Sequence, residues 1–87
     1  MKLYHSTLKE NISSILKEGL KPSKIGIVYL SENPNSWWTD HEHTILEVDM
    51  TNYQGKLTTF SIPDLDEILC WGFIEPERIK IYKNYKI

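Results

Sequence analysis

Residues 2–22, KLYHSTLKENISSILKEGLKP, decide the fold. The opening KLYHS predicts a short strand over 2–6, with Leu3 and His5 on one face and Tyr4 on the other. Thr7 and Glu10 then stand at the spacing of a capping box: the threonine oxygen accepts from the third helical N–H, and the glutamate reaches back to the cap N–H. Leu8, Ile12, Ile15 and Leu16 follow at helical spacing and form one apolar stripe. Gly19 supplies a left-handed stop, Leu20 is placed to fold back on the last turn, and Pro22 marks the exit.

Downstream of this unit the pattern turns to strands. Residues 25–30, IGIVYL, are β-branched and aromatic and predict a second strand. Residues 31–36, SENPNS, carry turn chemistry suited to capping a short helix at Trp37 and Trp38. Residues 44–50 alternate, with Ile45, Glu47 and Asp49 facing one way and Leu46, Val48 and Met50 the other. A turn at 52–55 leads to a fourth strand over 56–62, stopped by Pro63. Asp64 and Asp66 read as a turn, residues 67–73 as a fifth strand opened by Glu67, and residues 78–83 as a sixth strand beyond Pro76. Strands in succession after one N-terminal helix indicate an α+β fold rather than a doubly wound parallel sheet. The glycines, at 19, 26, 55 and 72, are too scattered for a phosphate-cradling loop.

Composition sets the outer limits. Eighty-seven residues predict a single domain spanning 1–87. Ten basic against twelve acidic residues leave a net charge of −2, which gives no reason to expect a protein that coats a polyanion. Lys80, Lys83 and Lys86 near the C-terminus are the local exception, with Lys80 and Lys86 on one face as candidate phosphate contacts or as ordinary edge-strand lysines. One cysteine, Cys70, excludes an internal disulfide framework and a multi-cysteine zinc site, and a reducing, cytoplasmic setting is expected. No apolar run has signal-peptide or membrane-spanning length.

Several constellations have two readings. His41 and His43, with Asp40, would share a strand face able to chelate zinc; a solvated loop is the plainer reading, and no metal is expected. Cys70, between Leu69 and Trp71, reads as a small buried hydrophobe. Trp37, Trp38 and Trp71 are core or interface candidates; the adjacent pair cannot both enter one core, so one is expected to line a groove or meet a partner. The run Tyr4-His5-Ser6-Thr7 is either a cap region or a functional cluster, and Asp64, Asp66 and Glu67 are either a solvated turn or carboxylates for acid–base work.

In order along the chain, four pieces resemble the ADP-ribosyltransferase-like superfamily, in a miniature His-Tyr-Glu form. They are Leu3-Tyr4-His5-Ser6-Thr7, the helix from Asn11 to Leu20, Val28-Tyr29-Leu30-Ser31, and Glu67 at the head of a strand leading to Ile74-Glu75-Pro76-Glu77-Arg78-Ile79. The resemblance covers residues 3 to about 83 and implies a small split antiparallel sheet with one N-terminal helix. It implies NAD as substrate and transfer of ADP-ribose to a macromolecule, protein or nucleic acid. His5 would hold a ribose hydroxyl, with Ser6 and Thr7 beside it. Tyr29 would stack on nicotinamide, Ser31 would stiffen that strand or touch the ribose, and Glu67 would stabilise the charge that develops as the glycosidic bond breaks.

Three departures qualify that resemblance. The chain is short for a catalytic domain of this kind. Leu65 stands where arginine-directed members place an acidic residue. The related RNA 2′-phosphotransferases use several arginines and this chain has one, Arg78, which disfavours that activity. Glu75 or Glu77 takes the third role if the alignment slips. The alternative function is a non-catalytic module, inhibitor- or toxin-like, that holds a nucleotide or presents Trp37 and Trp38 to a protein. Exposed sheet edges and surplus tryptophan make a homodimer plausible.

Overall fold

A computed structural model describes residues 1–33, 43–62 and 65–84; at 60–62, 65, 66, 83 and 84 it describes the backbone alone. Trp37, Trp38, Asp40, His41 and Lys86 lie outside the described residues.

The element order is β1 (Lys2–Leu8), a 3-10 turn (Lys9–Asn11), α1 (Ile12–Glu18), β2 (Val28–Leu30), β3 (His43–Asp49), β4 (Lys56–Ile62), β5 (Leu65–Trp71), a second 3-10 turn (Pro76–Arg78) and β6 (Ile79–Asn84). The strands form two antiparallel three-stranded sheets, ordered β1-β3-β6 and β2-β5-β4. The expected α+β class, split antiparallel sheet and one N-terminal helix are all present.

Alternation sets the faces. Leu3, Leu46, Val48 and Ile79 from the first sheet meet Val28, Leu30, Ile68 and Cys70 from the second, with Leu20, Met50 and Ile74 closing the core. These side chains are buried, and β3, central in its sheet, is buried on both faces: Ile45 is fully enclosed and Glu47 is 8% exposed. Glu47 is stabilised there by Lys80, 3.0 Å away on β6, and Lys2, 3.8 Å away on β1. Lys80 is therefore committed to a carboxylate rather than held ready for phosphate.

Local boundaries depart from expectation for identifiable reasons. The capping box does not form. Thr7 stays in β1, paired with Thr44 and buried, so the chain reaches Asn11 through the 3-10 turn before α1 begins. The second strand starts at Val28 because residues 23–27 close a turn, Gly26 N–H to Ser23 O at 2.8 Å and Ser23 N–H to Ile27 O at 3.0 Å, with Gly26 at φ +84°. The fifth strand starts two residues early. Leu65 and Asp66 pair with Ile62 and Ser61, which makes Glu67 the third residue of β5 rather than its first. Trp71 is 42% exposed and is not a core residue.

Two isolated bridges supplement the ladders, the first between the two sheets and the second between the exit of α1 and the segment after β5. One pairs Tyr4 with Ser31 through N–H···O bonds of 2.8 and 2.9 Å, and the other pairs Leu20 with Ile74 at 2.9 and 3.0 Å. Arg78 ties the loop after β3: its Nη1 donates to the carbonyls of Asp49 and Thr51, its Nε meets Glu75, and its guanidinium lies 5.3 Å from the Tyr53 ring centroid. Cys70 is fully buried beside the Tyr53 hydroxyl, as its apolar flanks predict, and burial raises its pKa.

Candidate functional site

The two sheets part at His5. Tyr4 and Ser31 form one antiparallel rung, and the next rung would join Ser6 to Tyr29. No backbone bridge forms there. Instead the His5 side chain enters the gap, and its Nδ1–H donates to the Tyr29 carbonyl at 2.7 Å. Because a carbonyl only accepts, this contact assigns the proton to Nδ1 and leaves Nε2 as a lone-pair acceptor. His5 shares its strand face with Leu3 and Thr7, opposite Leu46.

His5 lines a groove of about 290 Å³ together with Asn11, Ser14, Ile15, Gly19, Leu20 and Lys21. α1 supplies one wall, and the chain's exit from it supplies the end. Lys21 is the groove's cation; it lies 3.0 Å from Glu18, whose other oxygen accepts from Ser14 Oγ at 3.2 Å. The Lys21 hydrogen bond and charge hold the Glu18 carboxyl below its ordinary range. Asn11, Ser14 and Lys21 escaped the sequence reading. Their signal is the helix spacing from Asn11 to Ser14 and the stop Gly19-Leu20-Lys21, which returns the chain toward β1.

Desolvation lowers the His5 pKa from its ordinary 6.5, against a smaller opposing effect of the Tyr29 hydrogen bond. The folded chain thus binds this proton less readily than the unfolded chain. Stability from His5 is present above pH about 6.5 and declines as pH falls through the unfolded value toward the depressed folded one. Thermal melts from pH 7.5 to 5 are expected to show falling stability, with a shallower fall in His5→Gln; an equal slope in both would assign the effect elsewhere.

The other expected site residues are distributed around this point. Tyr29 lends its carbonyl to His5, while its ring lies on the outer face of the second sheet, 37% exposed. Ser31 is fully buried, with Oγ accepting from Asn33 N–H at 3.1 Å. Ser6 Oγ is buried without a hydrogen-bond partner, and Thr7 is 9% exposed. The β2–β5 register runs Val28–Cys70, Tyr29–Leu69, Leu30–Ile68, so the following position sets Ser31 level with Glu67. Glu67 is half-buried and shares the outer face with Tyr29 through Leu69. His5 therefore joins Tyr29 through backbone, whereas Glu67 and the Tyr29 ring stand together outside the groove.

Among the described residues no cluster of histidine, cysteine or carboxylate side chains has the makings of a metal site; His43 is buried in β3, and Asp40 and His41 fall outside the description. No helix among them is long and apolar enough to cross a membrane. A second cleft of about 220 Å³, lined by Lys2, Glu47, Asp49, Glu77, Arg78, Ile79 and Lys80, is occupied by the internal ion pairs already described.

No protein-family model matches the chain. A Pyrococcus furiosus protein described as "Probable RNA 2′-phosphotransferase" is 45% identical over 42 residues, covering 47% of this chain and 23% of that protein. A Pyrococcus abyssi protein of the same description is 52% identical over 31 residues, covering 36% of this chain and 17% of that protein. The matched segments thus span less than a quarter of the length of these relatives. They overturn the assignment to the ADP-ribosyltransferase-like superfamily, and with it the dismissal of RNA 2′-phosphotransferases. Histidine, tyrosine and glutamate each recur on many folds, so their order is a weaker discriminator than 45% identity over an aligned segment of 42 residues. The arginine count misled because it weighed one residue type against a whole matching segment.

Proposed function

We propose that this chain belongs to the machinery that moves a 2′-phosphate from RNA, using NAD as the second substrate. The observation that carries the reading is the 45% identity over 42 residues to a protein so described. In the step proposed, an oxygen of the RNA 2′-phosphate attacks the ribose carbon bearing nicotinamide. The carbon–nitrogen bond breaks, and its electron pair leaves with nicotinamide, neutralising the pyridinium; the neighbouring ribose hydroxyl then attacks phosphorus, the phosphorus–oxygen bond to the RNA breaks, and the hydroxyl's proton goes to the departing RNA 2′-oxygen.

The residues have matching chemistry. His5 Nε2, its tautomer set by Tyr29, is an acceptor for a ribose hydroxyl. A groove of about 290 Å³ suits a nucleoside-sized half of a dinucleotide. Lys21 on its rim is paired with Glu18 at 3.0 Å, so a pyrophosphate would use its charge by exchanging for that carboxylate. The Tyr29 ring offers a flat face to nicotinamide, and Glu67, on the same outer face, offers a carboxylate to the charge developing at the ribose.

A second reading has its own observation. Arg78, the chain's one arginine, is consumed by Glu75 and two backbone carbonyls and so brings no guanidinium to a phosphate. A protein of this kind holds the nucleotide without turning it over.

The deciding experiment mixes the full chain with NAD and a short oligoribonucleotide with or without one internal 2′-phosphate. Nicotinamide release is followed by chromatography and NAD binding by tryptophan fluorescence. Release that requires the 2′-phosphate is the expected result. Binding without release favours the second reading, and loss of both removes NAD from the account.

A further inference from the structure

The outer face of the β2-β5-β4 sheet has features that the groove does not explain. Ile68 and Cys70 point into the core, so Glu67, Leu69 and Trp71 point away from it. Register places Tyr29 and Thr58 on either side of Leu69, and Lys56 beside Trp71. Tyr29 and Trp71 are diagonal neighbours across β2 and β5, at a backbone separation of about 7–8 Å. Both rings are open to solvent, at 37% and 42% exposure.

Trp71 is also held in position. Its indole Nε1–H donates to Thr58 Oγ1 at 3.0 Å, which fixes the ring and satisfies its one polar group. Lys56 Nζ lies 5.9 Å from the ring centroid, so a positive charge stands beside a fixed aromatic surface. Among the described side chains of this face, Leu69 is the one aliphatic, which gives a protein partner little to bury. A fixed, exposed ring with an ammonium alongside, one diagonal step from Tyr29, matches the chemistry of an unpaired base and its phosphate. A paired A-form helix hides its base faces and has no use for such a surface.

We propose that this face binds single-stranded RNA, with a base stacked on Trp71 and the adjoining phosphate drawn to Lys56. The inference rests on the reading that RNA is a substrate, and it places the strand on the sheet face that also carries Tyr29 and Glu67. It assigns to Trp71, Thr58 and Lys56 a role in recognition rather than in bond making.

The test is fluorescence anisotropy of an end-labelled, single-stranded eight-nucleotide RNA carrying one internal 2′-phosphate, titrated with the full chain. Trp71→Ala is expected to weaken binding about tenfold or more. Trp71→Phe, which keeps a ring, is expected to restore most of the affinity. Lys56→Gln is expected to weaken binding and to flatten the log–log salt dependence by about 0.7. NAD affinity is expected to stay unchanged in all three, since the residues assigned to NAD are His5, Lys21, Tyr29 and Glu67. The proposal is overturned if folded Trp71→Ala binds within twofold of wild type, if a duplex of the same sequence binds as tightly, or if the wild-type chain ignores the oligonucleotide. Trp71-dependent RNA binding without nicotinamide release strikes the transfer reaction and leaves the surface standing. Phosphate-dependent release with RNA affinity indifferent to Trp71 strikes the surface alone.

Discussion

Gly19→Ala is expected to destabilise the chain by about 2–4 kcal/mol. At φ +90° and ψ 179°, the glycine occupies backbone space essentially reserved for glycine, which L side chains enter at a cost of about 1 kcal/mol or more. An added Cβ would also overlap the Ile74 carbonyl oxygen and approach the Phe73 ring to 2.8 Å. That oxygen cannot retreat freely, because it accepts the Leu20 N–H in the bridge that ties the exit of α1 to the segment after β5. Overpacking of this kind adds about 1–3 kcal/mol. For a chain of this size the loss corresponds to a melting temperature lower by about 10–25 °C. Gly26→Ala is the comparison. It has the same sign of φ, at +84°, but its Cβ would meet open space, so about 1 kcal/mol is expected. Melts of the two variants that agreed within error would refute the role given to the Gly19–Ile74 approach.

His5→Ala is the second large effect. It is expected to lower RNA-dependent nicotinamide release about 30- to 100-fold, the scale of a lost hydrogen bond to a developing or charged group. It also leaves the Tyr29 carbonyl without its donor at the split, at an expected cost of about 1–2 kcal/mol in stability. His5→Gln separates the two effects. The amide can donate to the carbonyl and recover stability, yet it lacks the imidazole Nε2. Stability restored with release still lost is the expected pattern. Release retained by both variants would remove His5 from the chemistry.

The sequence disclosed the pieces that depend on local periodicity. The alternation Leu46-Val48-Met50 against Ile45-Glu47-Asp49 set the faces of β3, and Lys56–Ile62 was bounded correctly because Gly55 and Pro63 punctuate it. Gly19 declared itself by ending an apolar stripe. What stayed hidden depends on partners distant in the chain. Thr7 looked like a helix cap, but Thr44, 37 residues on, claims it for the ladder. Glu67 looked like the first residue of a strand because Leu65 and Asp66 carry no strand signal of their own; only pairing with Ile62 and Ser61 extends β5 to them. His5 was legible as a candidate, yet its contact with a backbone carbonyl 24 residues away was not. Lys21 was missed for the same reason, and Trp71, legible as a core or interface candidate, could not be placed on an outer sheet face, since a groove wall and a sheet face are properties of the assembled chain.

The strand order also governs how the molecule is made. The first sheet takes its strands from the beginning, middle and end of the chain, and the second takes the intervening ones. Only β4 and β5 are joined as a local hairpin; β1 must find β3, and β2 must find β5, across about forty residues each. Neither sheet is a contiguous gene segment, so neither can be excised or transplanted as a block. The second sheet has all its strands once Trp71 is in place, whereas the first closes only when β6 joins it. Assembly is therefore a late, concerted event dominated by long loop closures, which puts the chain among the slower folders for its length, on the scale of milliseconds to seconds.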